Sequence, residues 1–235
     1  MSERVDDGIE VLRLNRPDKR NALDTASLDA LNSRLQALAD DPDLRVLVLS
    51  TTDPRAFCAG ADIAESLDHD GGVVRMAAFT RMYTLIEQFP VATIAVCVGN
   101  CVGAGAEIVA GVDLRVGGDN LKLAWAGARL GVPVGPARLA PLIGVARAKD
   151  LALTGRTIGM DEAAAIGLLQ RTAPADQAEA VALTMAAEIV RQSPDGIRVL
   201  KAMFSELDAM PHRVAYENEF LMRFQRDGSG LPRGR

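Results

Sequence analysis

Cysteine is scarce in this chain, basic charge is outnumbered, and no apolar run is long. The three cysteines, Cys58, Cys97 and Cys101, show no metal-ligand spacing, and an odd number suits a disulfide scaffold poorly. They read as reduced packing residues of a cytoplasmic protein, and no metal site is expected. The 26 Lys and Arg against 31 Asp and Glu leave a net charge of -5, with a pI near 5.2, where a nucleic-acid binder would present a basic surface. No nucleic-acid partner is expected. No apolar run reaches the roughly 18 residues that a bilayer crossing needs, and the acidic N-terminal segment has no apolar signal core. Neither a membrane span nor a secretory signal is expected.

What is present is a 49% hydrophobic chain of 235 residues, enough for one large domain or for a domain with a helical appendage. Ile9 to Leu14 ends at Asn15-Arg16-Pro17, a strand followed by a turn. Asp24-Thr25 caps a helix in which Leu28, Leu31, Leu35 and Leu38 recur at helical spacing. Val46 to Leu49 and Val91 to Val98 are continuous apolar strands of the kind buried on both faces. Residues 64–72, acidic and glycine-containing, read as a loop, and Val73 to Phe89 as a second helix. Beyond Asp113 short strands give way to segments with helical spacing up to Arg226, so an α/β core with a helical C-terminal part is expected.

Two segments carry the functional signal. Ala56-Phe57-Cys58-Ala59-Gly60-Ala61-Asp62-Ile63 and Gly99-Asn100-Cys101-Val102-Gly103-Ala104-Gly105-Ala106-Glu107 each place a turn of small residues directly after a strand. Small side chains let a ligand approach the backbone, and a helix beginning at such a turn leaves its first N–H groups unpaired. Two such groups aimed at one oxygen stabilise developing negative charge. With Asn15-Arg16-Pro17 and Asn21-Ala22-Leu23 upstream, the pair resembles the crotonase (enoyl-CoA hydratase/isomerase) superfamily, from about residue 9 to about residue 226.

The resemblance implies a spiral of ββα units in residues 1–195, followed by a C-terminal helical trimerisation region with a shortened tail in residues 196–235. It implies an acyl-CoA thioester as ligand, coenzyme A as part of that substrate with no separate cofactor, and a homotrimer or hexamer. The Ala61 and Ala104 amides become the oxyanion hole, and Glu107 becomes the proton-transferring catalytic residue. Substrate is expected along Lys19, Arg20 and Ala22 and along Ala59, Gly60, Asp62 and Ile63, with Gly103, Trp125 and Gly127 completing the pocket. Arg16 joins Lys19 and Arg20 as a basic cluster for the phosphates. Arg138 matches a position that packs the helical part and carries no obvious chemistry.

One departure from the family stands out. Hydratases carry a second glutamate about twenty residues beyond the first, and here Gly127 occupies that place. No Asp or Glu occurs from Asn120 through Lys149, so a shift of register cannot supply one. Three substitutes are open: His69 as a mobile acid or base, Trp125 against the acyl chain, and Arg129 paired with a carboxylated acyl group or with Glu107. Each has a plainer reading, as a loop histidine, a core tryptophan and a solvated arginine. The function expected is therefore acyl-CoA processing of the hydratase/isomerase type. A non-catalytic acyl-CoA-binding protein and a thioester hydrolase or decarboxylase are the alternatives.

Overall fold

The computed structural model describes residues 1–6, 8–207, 209–228 and 230–231, with the backbone alone at 6, 210 and 211. The shortened tail read from residue 227 onward lies mostly outside the described residues. The chain starts with β1 (Ser2–Asp6) and β2 (Ile9–Leu14), an antiparallel pair, and then α1 (Thr25–Ala39). Asp24 caps α1 by accepting from Ser27 N at 2.8 Å, and the predicted leucine stripe is buried.

From here the chain repeats one move. β3 (Val46–Thr51) runs into β4 (Ala56–Cys58) and α2 (His69–Glu87); β5 (Ala92–Cys97) runs into β6 (Asn100–Val102) and α3 (Ala104–Gly111). β7 (Leu114–Gly118) and β8 (Lys122–Ala124) follow, with α4 (Pro136–Ile143) after a short 3₁₀ turn at Ala126–Leu130. The first strand of each unit joins a large sheet, ordered β1-β2-β3-β5-β7-β9, where β9 is Arg171–Ala173. The second strand joins a small parallel sheet, β4-β6-β8. Stacking one unit on the next is the expected spiral of ββα turns.

The large sheet is covered on both faces. Val46, Val48, Ile94, Val96 and Val116 pack toward Ala178, Ala182 and Met185 of α7 (Ala178–Val190), whereas Leu47 and Leu49 face the main core with α1 and α2. Two-sided burial is the reason these strands read as unbroken apolar runs.

α5 (Val145–Thr154) and α6 (Met160–Ala165) follow α4, and after α7 come α8 (Pro194–Leu207) and α9 (Met210–Asp227). α9 folds back across α2 and α4. The acidic stretch read as a loop is shorter than expected: Asp68 accepts from Gly71 N at 2.7 Å and starts α2 at His69, because an aspartate before the first free amides is a strong cap. β1, β9 and α4 carry no periodicity long enough to be recognised in the sequence. Among the described residues no helix is long and apolar enough to cross a membrane.

Candidate active site

The two small-residue turns meet. Gly60 has φ +104 and Gly103 φ +55, and a Cβ built on Gly103 would lie 3.8 Å from the Gly60 Cα. L-residues rarely adopt such angles, so glycine is what lets each strand turn sharply enough to bring the loops together. Gly105 closes the approach from behind, since a Cβ there would sit 2.1 Å from the Cys58 carbonyl oxygen. Leu23 then stitches the first turn in place: its N–H donates to Gly60 O at 2.8 Å and its carbonyl accepts from Asp62 N at 2.8 Å. The Ala61 amide lies between these two bonds. Ala104 is the first residue of α3, where no carbonyl precedes it in the helical ladder. Neither amide has a protein acceptor among the described residues.

Both residues line a cavity of about 510 Å³. Lys19, Arg20, Ala22, Ala59, Gly60, Asp62, Ile63, Gly103 and Gly127 line it too. Lys19 and Arg20 are exposed at its rim, whereas Met76, Phe79, Tyr83 and Leu221 are buried at its inner wall. Asn21 holds the rim loop, donating through Nδ2 to Thr51 Oγ1, Ala56 O and Phe57 O, and accepting from Arg16 N at 2.7 Å. Arg16 itself is not free for phosphate. Its guanidinium is tied to Asp24 and Asp62, each at 2.8 Å, and so braces the Asp62 turn.

Glu107 and Trp125 do not line the cavity; both are buried behind its wall. A carboxylate in that position needs a partner, and the partner is Arg138 on α4. Arg138 Nη1 donates to Glu107 Oε2 at 3.0 Å and to Glu217 Oε1 of α9 at 2.5 Å. Glu217 Oε2 also accepts from Gly135 N and Ala137 N, both at 3.0 Å, which caps the start of α4. The Arg138 guanidinium lies 4.4 Å from the Tyr83 ring centroid. Trp125 Nε1 approaches the Glu107 carboxylate closely enough to favour its charge but misses hydrogen-bond geometry, so among the described residues Glu107 Oε1 and Trp125 Nε1 are both without a bond. Burial and the facing Glu217 outweigh Arg138 and push the Glu107 carboxyl up to about 8, so it keeps its proton near neutral pH.

Arg138 and Glu217 are thus the residues that reading the sequence missed. A lone arginine in Pro136-Ala137-Arg138-Leu139-Ala140-Pro141-Leu142-Ile143 was a signal, because an apolar helix tolerates a buried cation only beside an acid. Glu217 sits among other charged residues and gave none.

The other substitutes fall away. Arg129 does not reach Glu107; its Nη2 donates to Gly155 O at 2.6 Å. His69 is exposed on the first turn of α2 and does not line the cavity. At Gly127 a Cβ would meet Val132 O at 2.7 Å and Val134 Cγ1 at 3.0 Å, so a larger residue has no room there.

The family model for enoyl-CoA hydratase/isomerase matches residues 4–226, nearly the whole of the chain whose two turns form this site. The chain belongs to the enoyl-CoA hydratase/isomerase family. It is 34% identical over 199 residues to a probable enoyl-CoA hydratase of Mycobacterium tuberculosis, spanning 83% of this chain and 77% of that one. Against a probable mitochondrial enoyl-CoA hydratase 2 of Arabidopsis thaliana it is 31% identical over 206 residues, spanning 86% and 68%. Among solved structures, the enoyl-CoA hydratase of Bacillus anthracis superposes with a TM-score of 0.82 at 25% identity, covering 100% of this chain and 99% of that one. The spiral described above is accordingly the crotonase fold, and this enoyl-CoA hydratase/isomerase family member keeps both turns while having Gly127 between Ala126 and Ala128.

Proposed function

We propose that this family member is an enzyme of the enoyl-CoA hydratase/isomerase type, acting on an acyl-CoA thioester whose enolate is held by the Ala61 and Ala104 amides. The observation that carries this reading is that two amides without protein acceptors border one apolar cavity. The pantetheine would follow Lys19 to Ala22 and the Gly60 to Ile63 turn. Arg20 also borders a polar cleft with Arg55 and Lys122, which supports phosphates of the nucleotide beside the rim. Coenzyme A enters as part of the substrate, with no separate cofactor. Glu107, one helical turn along α3 from the Ala104 amide, is the proton-transferring group in this reading. Holding its proton near neutral pH, it acts first as an acid.

The test is incubation with a panel of acyl-CoAs, following water addition, double-bond migration and release of free CoA separately. Glu107→Gln is expected to keep acyl-CoA affinity within about tenfold and to lower turnover by about 10²-fold or more. A second reading, an acyl-CoA-binding protein without turnover, is favoured by the hydrogen bond from Arg138 that holds Glu107 behind the cavity wall. Binding without any of the three reactions establishes it, and release of free CoA alone points to a thioester hydrolase.

A trimer or dimer of trimers belongs to the same proposal. α8 leaves Val199, Leu200, Met203, Phe204 and Leu207 exposed, an apolar face that a neighbouring subunit would cover. Light scattering showing a clean monomer at micromolar concentration overturns it. The cytoplasmic location rests on the three buried free cysteines, and cell fractionation tests it.

A further inference from the structure

The inner wall of the cavity is apolar apart from one side chain. Met76, Phe79 and Tyr83 stand on one face of α2, with Leu221 of α9 across from them. Asp62, nearer the rim, is committed to Arg16. Tyr83 is buried, with a ring fixed on two sides: Phe79 stacks on it at 6.1 Å between centroids, and the Arg138 guanidinium covers it at 4.4 Å. No hydrogen bond joins its hydroxyl to another described residue. A phenol buried at a cavity wall without a protein partner takes one from what fills the cavity.

We propose that Tyr83 is a specificity-determining residue, whose hydroxyl donates to a neutral oxygen substituent on the acyl chain, so that oxygenated acyl thioesters bind ahead of unsubstituted ones. The inference rests on the acyl-CoA reading above. The neutrality of the oxygen follows from the surroundings. A carboxylated acyl group would bring a charge to an inner wall where Arg138 is fully buried and already shared by Glu107 and Glu217. Burial and the Glu107 charge hold the phenol well above its ordinary pKa, so it remains a donor across the working pH range.

Calorimetric titration of the wild type and Tyr83→Phe with butyryl-CoA, 3-hydroxybutyryl-CoA, acetoacetyl-CoA and malonyl-CoA tests this. The wild type is expected to bind the hydroxy and oxo thioesters about fivefold or more tighter than butyryl-CoA, the range of one net hydrogen bond, and malonyl-CoA no better than butyryl-CoA. In Tyr83→Phe that ratio is expected to fall to about one. Three results overturn the proposal: no preference in the wild type, a preference that survives in Tyr83→Phe, or malonyl-CoA as the tightest ligand. If Tyr83→Phe fails to fold, the same ratio measured in Tyr83→Leu decides. Failure of all four thioesters and of free CoA to bind at millimolar concentration is a different outcome, and it removes the acyl-CoA reading itself.

Discussion

Glu107 on α3 and Glu217 on α9 accept from the same nitrogen, Arg138 Nη1, at 3.0 and 2.5 Å. One buried cation thus joins the first turn of the helix that begins at the Ala104 amide to the C-terminal helix that closes the cavity through Leu221. Two carboxyl groups around one guanidinium cannot both be ionised without leaving an excess negative charge in the core. Burial and the facing Glu217 accordingly raise the pKa of Glu107.

Removing the cation tests that linkage. Arg138→Met leaves two carboxyl groups facing each other in a buried site, and the expected loss is about 3–5 kcal/mol in urea unfolding. A loss below about 1 kcal/mol would mean that α9 is held by apolar packing alone.

The raised pKa of Glu107 makes stability depend on pH in a stated direction. A carboxyl that is protonated when folded and ionised when unfolded binds more protons in the folded chain. Its contribution is therefore fully present below the ordinary glutamate range and is lost as pH rises toward about 8. Urea midpoints of the wild type and Glu107→Gln measured from pH 5 to pH 9 should converge on the acid side and diverge on the basic side, with the variant the more stable at the upper end. Parallel curves would show an ionised Glu107 throughout.

Gly127→Glu would put a carboxyl where hydratases have their second glutamate, and the geometry opposes it. The Val132 carbonyl, 2.7 Å from the new Cβ, is backbone, and Val132 N is bonded to Gly127 O at 2.9 Å, so the turn cannot open without losing that bond. The expected result is a loss of about 1–3 kcal/mol with no gain in water addition to crotonyl-CoA. A stable variant that hydrates crotonyl-CoA faster than the wild type contradicts this.

Asn21→Ala removes the bonds to Thr51, Ala56, Phe57 and Arg16 together and leaves alanine at φ 55. A loss of about 2–4 kcal/mol is expected, with weaker acyl-CoA binding because the Leu23 stitch to Gly60 and Asp62 loses its anchor. Unfolding and calorimetry on the same sample check both effects.

Much of the architecture could be read from the chain, because its causes are local. Two-sided burial forces unbroken runs such as Val46 to Leu49, and helical burial forces the Leu28, Leu31, Leu35, Leu38 stripe. Sharp turns with left-handed angles demand glycine, so Gly60 and Gly103 mark both halves of the amide pair in advance. The missing acid near Gly127 is equally a fact of sequence. What tertiary structure decided is which groups meet. Arg138 lies 31 residues from Glu107 and 79 from Glu217, and no periodicity links positions on three different helices. The chain placed a glutamate on the first turn of α3; only packing put it behind the cavity wall with a shared arginine and a raised pKa, and left Tyr83 at the wall in its place. The sequence determines the backbone of this site through local sterics. The charge state of its acid is set by distant residues, because desolvation and Coulomb interactions depend on distances that exist only once the chain has folded.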